Sequence, residues 1–158
     1  MSIKITIRPY TVADKEDLFK IFRLNTPEYF DPKEEKEFAE YIEHRSDTYL
    51  VIEHHELIVG GVGYEFRDSD RSGRINWIFI HPQYSGLGLG RQAVEHCLKI
   101  LRANPAVEVL IVRTSQWAYQ FFEKCGYKLM DTTKDYWAPG LDLYLMEQAI
   151  DTNAPANA

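Results

Sequence analysis

Residues 74–104 read R-I-N-W-I-F-I-H-P-Q-Y-S-G-L-G-L-G-R-Q-A-V-E-H-C-L-K-I-L-R-A-N, and the rest of the chain is organised around them. An apolar run rich in β-branched and aromatic residues predicts a strand. It is followed by a turn in which Gly86, Gly88 and Gly90 alternate with Leu87 and Leu89, closed by Arg91. A helix opens directly out of that turn and stops at Asn104-Pro105. Strand, bare backbone and helix N-terminus in that order form a cradle for a phosphate, because unpaired amides and the helix dipole favour an anion.

The other segments fall on either side of this unit. Ile3, Ile5 and Ile7 alternate with Lys4, Thr6 and Arg8, the period of a strand with one buried face. Thr11 and Asp14 form a capping-box pattern ahead of a helix that buries Leu18, Ile21, Phe22 and, at its start, Val12. Asn25-Thr26-Pro27 ends it. A second helix is expected with Asp31 as cap and Pro32 as its first residue. Phe38, Ala39, Tyr41 and Ile42 form its apolar side, and K-E-E-K-E reads as a solvated face. Residues 49–52 and 57–64 form a hairpin. Gly60, Gly61 and Gly63 in its second strand signal a twist, a bulge or a close neighbour.

Beyond the central helix come a strand at 107–112, a short helix at 116–124 ended by Gly126, and strands at 127–130 and 141–146. The connector 131–140 carries Tyr136 and Trp137, and 149–158 reads as a frayed tail. The order β, α, α, β, β, β, α, β, α, β, β predicts an α/β (α+β) fold, a mixed sheet with helices on its faces. A single domain over 1–148 follows from the length of 158 residues.

Bulk properties remove several function classes. The net charge is −6 and the pI near 5.4, which argues against a nucleic-acid backbone binder. Cys97 and Cys125 have neither disulfide-framework nor zinc spacing, so no metal is expected. With no apolar run of spanning length and no leader pattern, a cytoplasmic protein without membrane partners is expected.

The glycine stretch is not a P-loop, since GxxxxGK is missing, and it departs from a dinucleotide fingerprint at Arg91, where a third glycine is needed. The string I-F-I-H-P-Q-Y-S-G-L-G-L-G-R resembles the coenzyme A loop of the Gcn5-related N-acetyltransferases (GNAT), which reads Gln/Arg-x-x-Gly-x-Gly/Ala. Gly88 and Gly90 fill the two small positions and Ser85 stands at the Gln/Arg position; a register through Gln83, Gly86 and Gly88 also matches. A second block, T-S-Q-W-A-Y-Q-F-F-E-K-C-G-Y-K, is similar to the family's Asn-x-x-Ala-x-x-Leu/Phe-Tyr-x-Lys-x-Gly-Phe, through Ala118, Phe121, Glu123, Lys124, Gly126 and Tyr127.

The resemblance implies about seven strands and four helices, with central strands splayed to admit the pantetheine arm. It implies acetyl-CoA as cosubstrate and direct attack on its thioester by a primary amine of a small molecule or peptide, in a monomer or homodimer. Cofactor contacts fall to the backbone of Ile78, Phe79 and Ile80, to Ser85, Gly86, Leu87, Gly88, Leu89, Gly90 and Arg91, and to Ser115, Tyr119 and Phe122. Tyr29, Phe30, Asn76 and Tyr136 are the expected acceptor contacts. Phe122 stands where the family often has the tyrosine that protonates the thiolate. Tyr119, Tyr136 or Tyr64 replaces it, or water does; Glu65 is the expected base. A non-catalytic acyl-CoA-binding domain is the alternative that Phe122 favours.

Overall fold

The structure, a computed structural model, describes residues 3–150. Seven strands form one sheet: β1 (Thr6–Pro9), β2 (Tyr49–His54), β3 (Leu57–Arg67), β4 (Ser72–Ile80), β5 (Val109–Thr114), β6 (Lys128–Ala138) and β7 (Leu141–Ala149), in the spatial order β1-β2-β3-β4-β5-β7-β6. Only β4 and β5 pair in parallel, with α3 as their crossover; β1 and β2 pair antiparallel although α1 and α2 lie between them in the chain. The helices are α1 (Lys15–Leu24), α2 (Glu34–Arg45), α3 (Leu89–Arg102) and α4 (Tyr119–Lys124). The element order and the mixed sheet are those expected from the sequence.

Each face of the sheet buries one core. On one side, α3 and α4 cover Leu50, Ile52, Val62, Ile75, Leu110, Val112 and Met146. On the other, α1 and α2 lay Leu18, Phe22, Phe38 and Ile42 on Tyr49, Val51 and Phe79. That second core is aromatic: Phe38 lies 5.3 Å from Trp77, 5.4 Å from Phe79 and 5.5 Å from Tyr49, centroid to centroid. Burying such a ring stabilises by roughly 2–3 kcal/mol. The Thr11–Asp14 capping box is present, and Arg8 donates to both Asp14 oxygens at 2.8 Å. That pair holds the Asp14 carboxyl below the usual carboxylate range.

Several boundaries differ from expectation. Val12 is 81% exposed, because 12–14 is a separate 3-10 turn that precedes α1. The short helix starts at Tyr119 rather than 116; Ser115 instead accepts the amides of Ala118 and Tyr119 through its carbonyl, which makes 115–118 a turn. The connector 131–140 is largely strand: β6 runs to Ala138 and turns at Pro139-Gly140. An outermost strand needs no apolar alternation, and Asp131–Tyr136 are all exposed. Of the expected tail, 151–158 lies outside the described residues, while Ala149 ends β7.

Candidate active site

The ladder between β4 and β5 runs only from Ser72↔Val109 to Ile75↔Val112. Beyond it the two parallel strands separate, so the β5-facing backbone of Asn76–Ile80 has no strand partner. The opening is a cleft of about 640 Å³. A bulge reshapes β4 where it leaves β5. Gly61 faces Phe79 and Gly63 faces Asn76, so one extra residue is inserted, and Trp77 takes a φ of +48°. The fully buried Tyr49 hydroxyl donates to the Trp77 carbonyl at 2.8 Å and pins this bulge. Gly61 makes room for that ring, since any Cβ there would overlap the Tyr49 hydroxyl. In a trans peptide N–H and C=O point in opposite directions, so the Ile78 amide points away from Tyr49.

One end of the cleft is backbone. Gly86 (φ +77°) and Gly88 (φ +84°) both take left-handed conformations, and a Cβ at either would meet nothing within 4 Å. Gly88 caps α3 without any side-chain hydrogen bond. The first amides of α3 therefore lack intrahelical partners and face open space. This concave amide cradle fits a pyrophosphate. Ser85, Gly86, Gly88, Leu89, Gly90 and Arg91 line the cleft, as do Ile78, Phe79 and Ile80. Leu87 does not; its side chain is 44% exposed. The Ser85 hydroxyl donates to the Pro82 carbonyl at 2.8 Å, so it serves the turn. Ser115 lines the cleft and is buried, and its hydroxyl accepts the Trp117 amide at 3.3 Å.

The other end is side chains. Tyr29 and Phe30 from the α1–α2 connection, Asn76 and Trp77 from β4, and Trp137 from β6 line it together, as the sequence reading anticipated for Tyr29, Phe30 and Asn76. Asn25 ties the connection to β4 by donating to the Ile80 carbonyl at 3.1 Å. Tyr136 stands behind the lining, where its hydroxyl accepts from Arg113 at 2.5 Å.

The expected proton-transfer groups are not brought together here. Tyr119 leaves the cleft and packs on Tyr144, 4.9 Å between centroids, because α4 begins only at that residue and turns it toward β7. Tyr64 packs against the α3 core instead. Phe122 does line the cleft, buried. Glu65 is outside the lining and saturated: it accepts from Asn76 at 3.0 Å, Arg67 at 3.1 Å and Arg45 at 3.2 Å.

Two carboxyls do line the cleft, Glu34 and Glu37, both from the face expected to be solvated; Glu37 is exposed, whereas Glu34 is buried. Glu34 is the one set apart by its surroundings. It is 6% exposed, and burial pushes its carboxyl up to about 7 from an ordinary 4.5. One of its oxygens accepts the Asp31 amide at 2.8 Å, while Asp31 accepts the Lys33 amide at 2.9 Å. α2 begins at Glu34, with Lys33 rather than Asp31 as its N-cap, and these reciprocal bonds, made in the manner of a capping box just ahead of the helix, turn Glu34 back and inward. The string D-P-K-E, acid three residues after the expected cap, was the available signal. Among the described residues no cluster of His, Cys, Asp and Glu suits a metal, and no helix is long and apolar enough to cross a membrane.

Known proteins share this architecture. An N-alpha-acetyltransferase of Sulfurisphaera tokodaii is 27% identical, over 89% of this chain and 90% of that one. The structure of Ard1 from Thermoplasma volcanium superposes with a TM-score of 0.77 at 16% identity, covering 94% of this chain and 99% of that one. The ribosomal-protein-S18-alanine N-acetyltransferase from Escherichia coli does so with 0.76 at 18%, covering 98% and 99%. The family profile described as acetyltransferase (GNAT) matches residues 15–127, which span α1 and α2, the bulged strand, the glycine turn and α4. A profile match over most of the chain, on a sheet whose parallel pair parts beside a glycine-bearing helix start, means that this chain belongs to the GNAT acetyltransferase family.

Proposed function

We propose that the cleft binds acetyl-CoA and that the chain transfers the acetyl group to a primary α-amine by direct attack. The observation that carries this reading is the end of β4–β5 pairing at Ile75 and Val112, beside a glycine-bearing helix start. Unpaired β4 backbone can take the amide-bearing pantetheine arm as an added strand. The amides of Gly86–Arg91 hold the pyrophosphate, with the Arg91 guanidinium at the rim.

Glu34 takes the proton from the acceptor ammonium. A carboxyl near 7 is matched to an α-ammonium, ordinarily close to 8, and poorly matched to a lysine ammonium above 10. The name of the Sulfurisphaera tokodaii relative, N-alpha-acetyltransferase, supports the same acceptor class. The amine nitrogen then attacks the thioester carbon, and the Ile78 amide stabilises the oxygen as it gains charge. The C–S bond breaks, and the second proton, shed by the nitrogen as the amide forms, reaches the thiolate through water. Phe122 supplies no proton, and a thiol leaving group with a pKa near 8.5 needs no dedicated acid.

Free-thiol release from acetyl-CoA across a panel of amines, measured beside coenzyme A binding, tests this reading. Turnover that rises through pH 7 and is lost in Glu34→Gln is the expected result. Coenzyme A binding without turnover on any amine would instead make this a binding domain, and absent binding would sink both readings.

A further inference from the structure

Four arginines line the cleft, and three of them face a carboxylate of the protein. Arg67 pairs with Glu65 at 3.1 Å, Arg74 with Asp70 at 2.6 Å, and Arg91 with Glu95 at 3.1 Å. Arg113 has no carboxylate partner among the described residues. It is nevertheless held in place. Its guanidinium lies 5.1 Å from the Tyr136 ring centre and 5.5 Å from that of Trp137, and it donates to the Tyr136 hydroxyl at 2.5 Å. The Trp137 indole in turn donates to the Thr114 carbonyl at 3.1 Å, locking the stack to β5. Two aromatic rings thus fix a cation whose remaining N–H groups have no protein acceptor among the described residues.

The position is as informative as the geometry. Val112 packs into the core beneath α3 and α4, so strand alternation sends Arg113 to the opposite face. That is the face of α1 and α2, where Phe30 and Glu34 line the same cleft. A preorganised, unpaired guanidinium and a buried carboxyl therefore share the acceptor end, and a planar guanidinium is matched in shape to a carboxylate.

We propose that the acceptor carries a carboxylate near its reacting α-amine and that Arg113 binds that carboxylate. The inference rests on the acetyl-transfer reading above and specifies its substrate. The shared chemistry has two sources: the α-carboxylate of a free amino acid, or an acidic side chain on the first residue of a peptide.

Two matched pairs separate these sources. L-glutamine against L-glutaminamide varies only the α-carboxylate; Glu-Ala-Ala-amide against Gln-Ala-Ala-amide varies only the side-chain charge. In one pair, kcat/KM should be roughly 10- to 100-fold higher for the carboxylate member, carried mainly in KM, the scale of a charged hydrogen bond. Arg113→Gln should bring that member down to its neutral mate, and Arg113→Lys should restore part of the difference. Coenzyme A affinity and Tm measured on both variants show that the cleft still forms. Equal rates within both pairs, or a preference that survives Arg113→Gln, overturns the proposal. Turnover of the neutral members without any charge preference leaves acetyl transfer standing, whereas no turnover with coenzyme A bound removes both.

Discussion

The two ends of the cleft are built on different principles. The α3 end is backbone: two left-handed glycines, uncapped amides and one exposed arginine. The acceptor end is side chain, drawn from the α1–α2 connection, β4, β5 and β6. A backbone cradle recognises phosphate whatever the neighbouring side chains are, and it lies within one contiguous stretch. A side-chain pocket depends on segments some hundred residues apart and on how their charges cancel. Of the carboxylates near it, Glu65 is spent on two arginines and an asparagine, while Glu34 is buried with only an amide donor.

The largest effect should come from the side-chain end. Glu34→Gln should lower kcat by about 10²- to 10⁴-fold, the usual contribution of a general base, with coenzyme A affinity unchanged by titration calorimetry. The pH dependence sharpens this. The folded carboxyl sits at about 7, above its ordinary 4.5, so the folded state holds the proton more tightly. Stability should fall as pH rises between those values and level off above, while activity should rise through the upper one. Glu34→Gln should flatten both curves; a rate profile that keeps its rise near 7 assigns the base elsewhere.

The backbone end should break differently. Gly88→Glu forces a side chain into a φ of +84° and puts negative charge at the cradle. Coenzyme A affinity should drop by about 100-fold or more, the scale of one or two lost charge-assisted contacts. Retained affinity would show that the amides of this turn do not hold the pyrophosphate.

Between the two ends stands the bulge. Tyr49→Phe removes the hydrogen bond to the Trp77 carbonyl and leaves a buried acceptor unpaired, which costs about 1–3 kcal/mol of stability. If the bulge aims the Ile78 amide, kcat should fall by roughly tenfold with little change in KM for acetyl-CoA. A stability loss with normal kcat reduces Tyr49 to a core residue. The smallest effect belongs to Tyr119→Phe. Its ring is engaged by Tyr144 outside the cleft, so turnover should stay within about twofold of the parent, whereas a large loss would return it to the role of acid.

How far the sequence carried depends on locality. Strand, glycines and helix start are adjacent in the chain, so spacing alone exposes the cradle, and Gly61 announces close packing because only a missing Cβ leaves room for Tyr49. Asn76 and Phe30 lie on elements that the structure brings to the cleft, whereas Tyr119 and Glu65 lie outside its lining. Rotation about a six-residue helix decides the first, and ion pairing with Arg45 and Arg67 decides the second. Glu34 was hidden by a charged neighbourhood, although a capping-box pattern is written in D-P-K-E.

By itself, then, the sequence determined the order of elements, the mixed sheet with helices on its faces and the glycine turn that opens α3, since periodicity and glycine spacing act over neighbouring residues. Tertiary structure alone decided which carboxyl is desolvated and which arginine of the cleft has no carboxylate partner among the described residues. Those outcomes depend on burial and charge cancellation across β4, β5, β6 and α2, which no local pattern encodes.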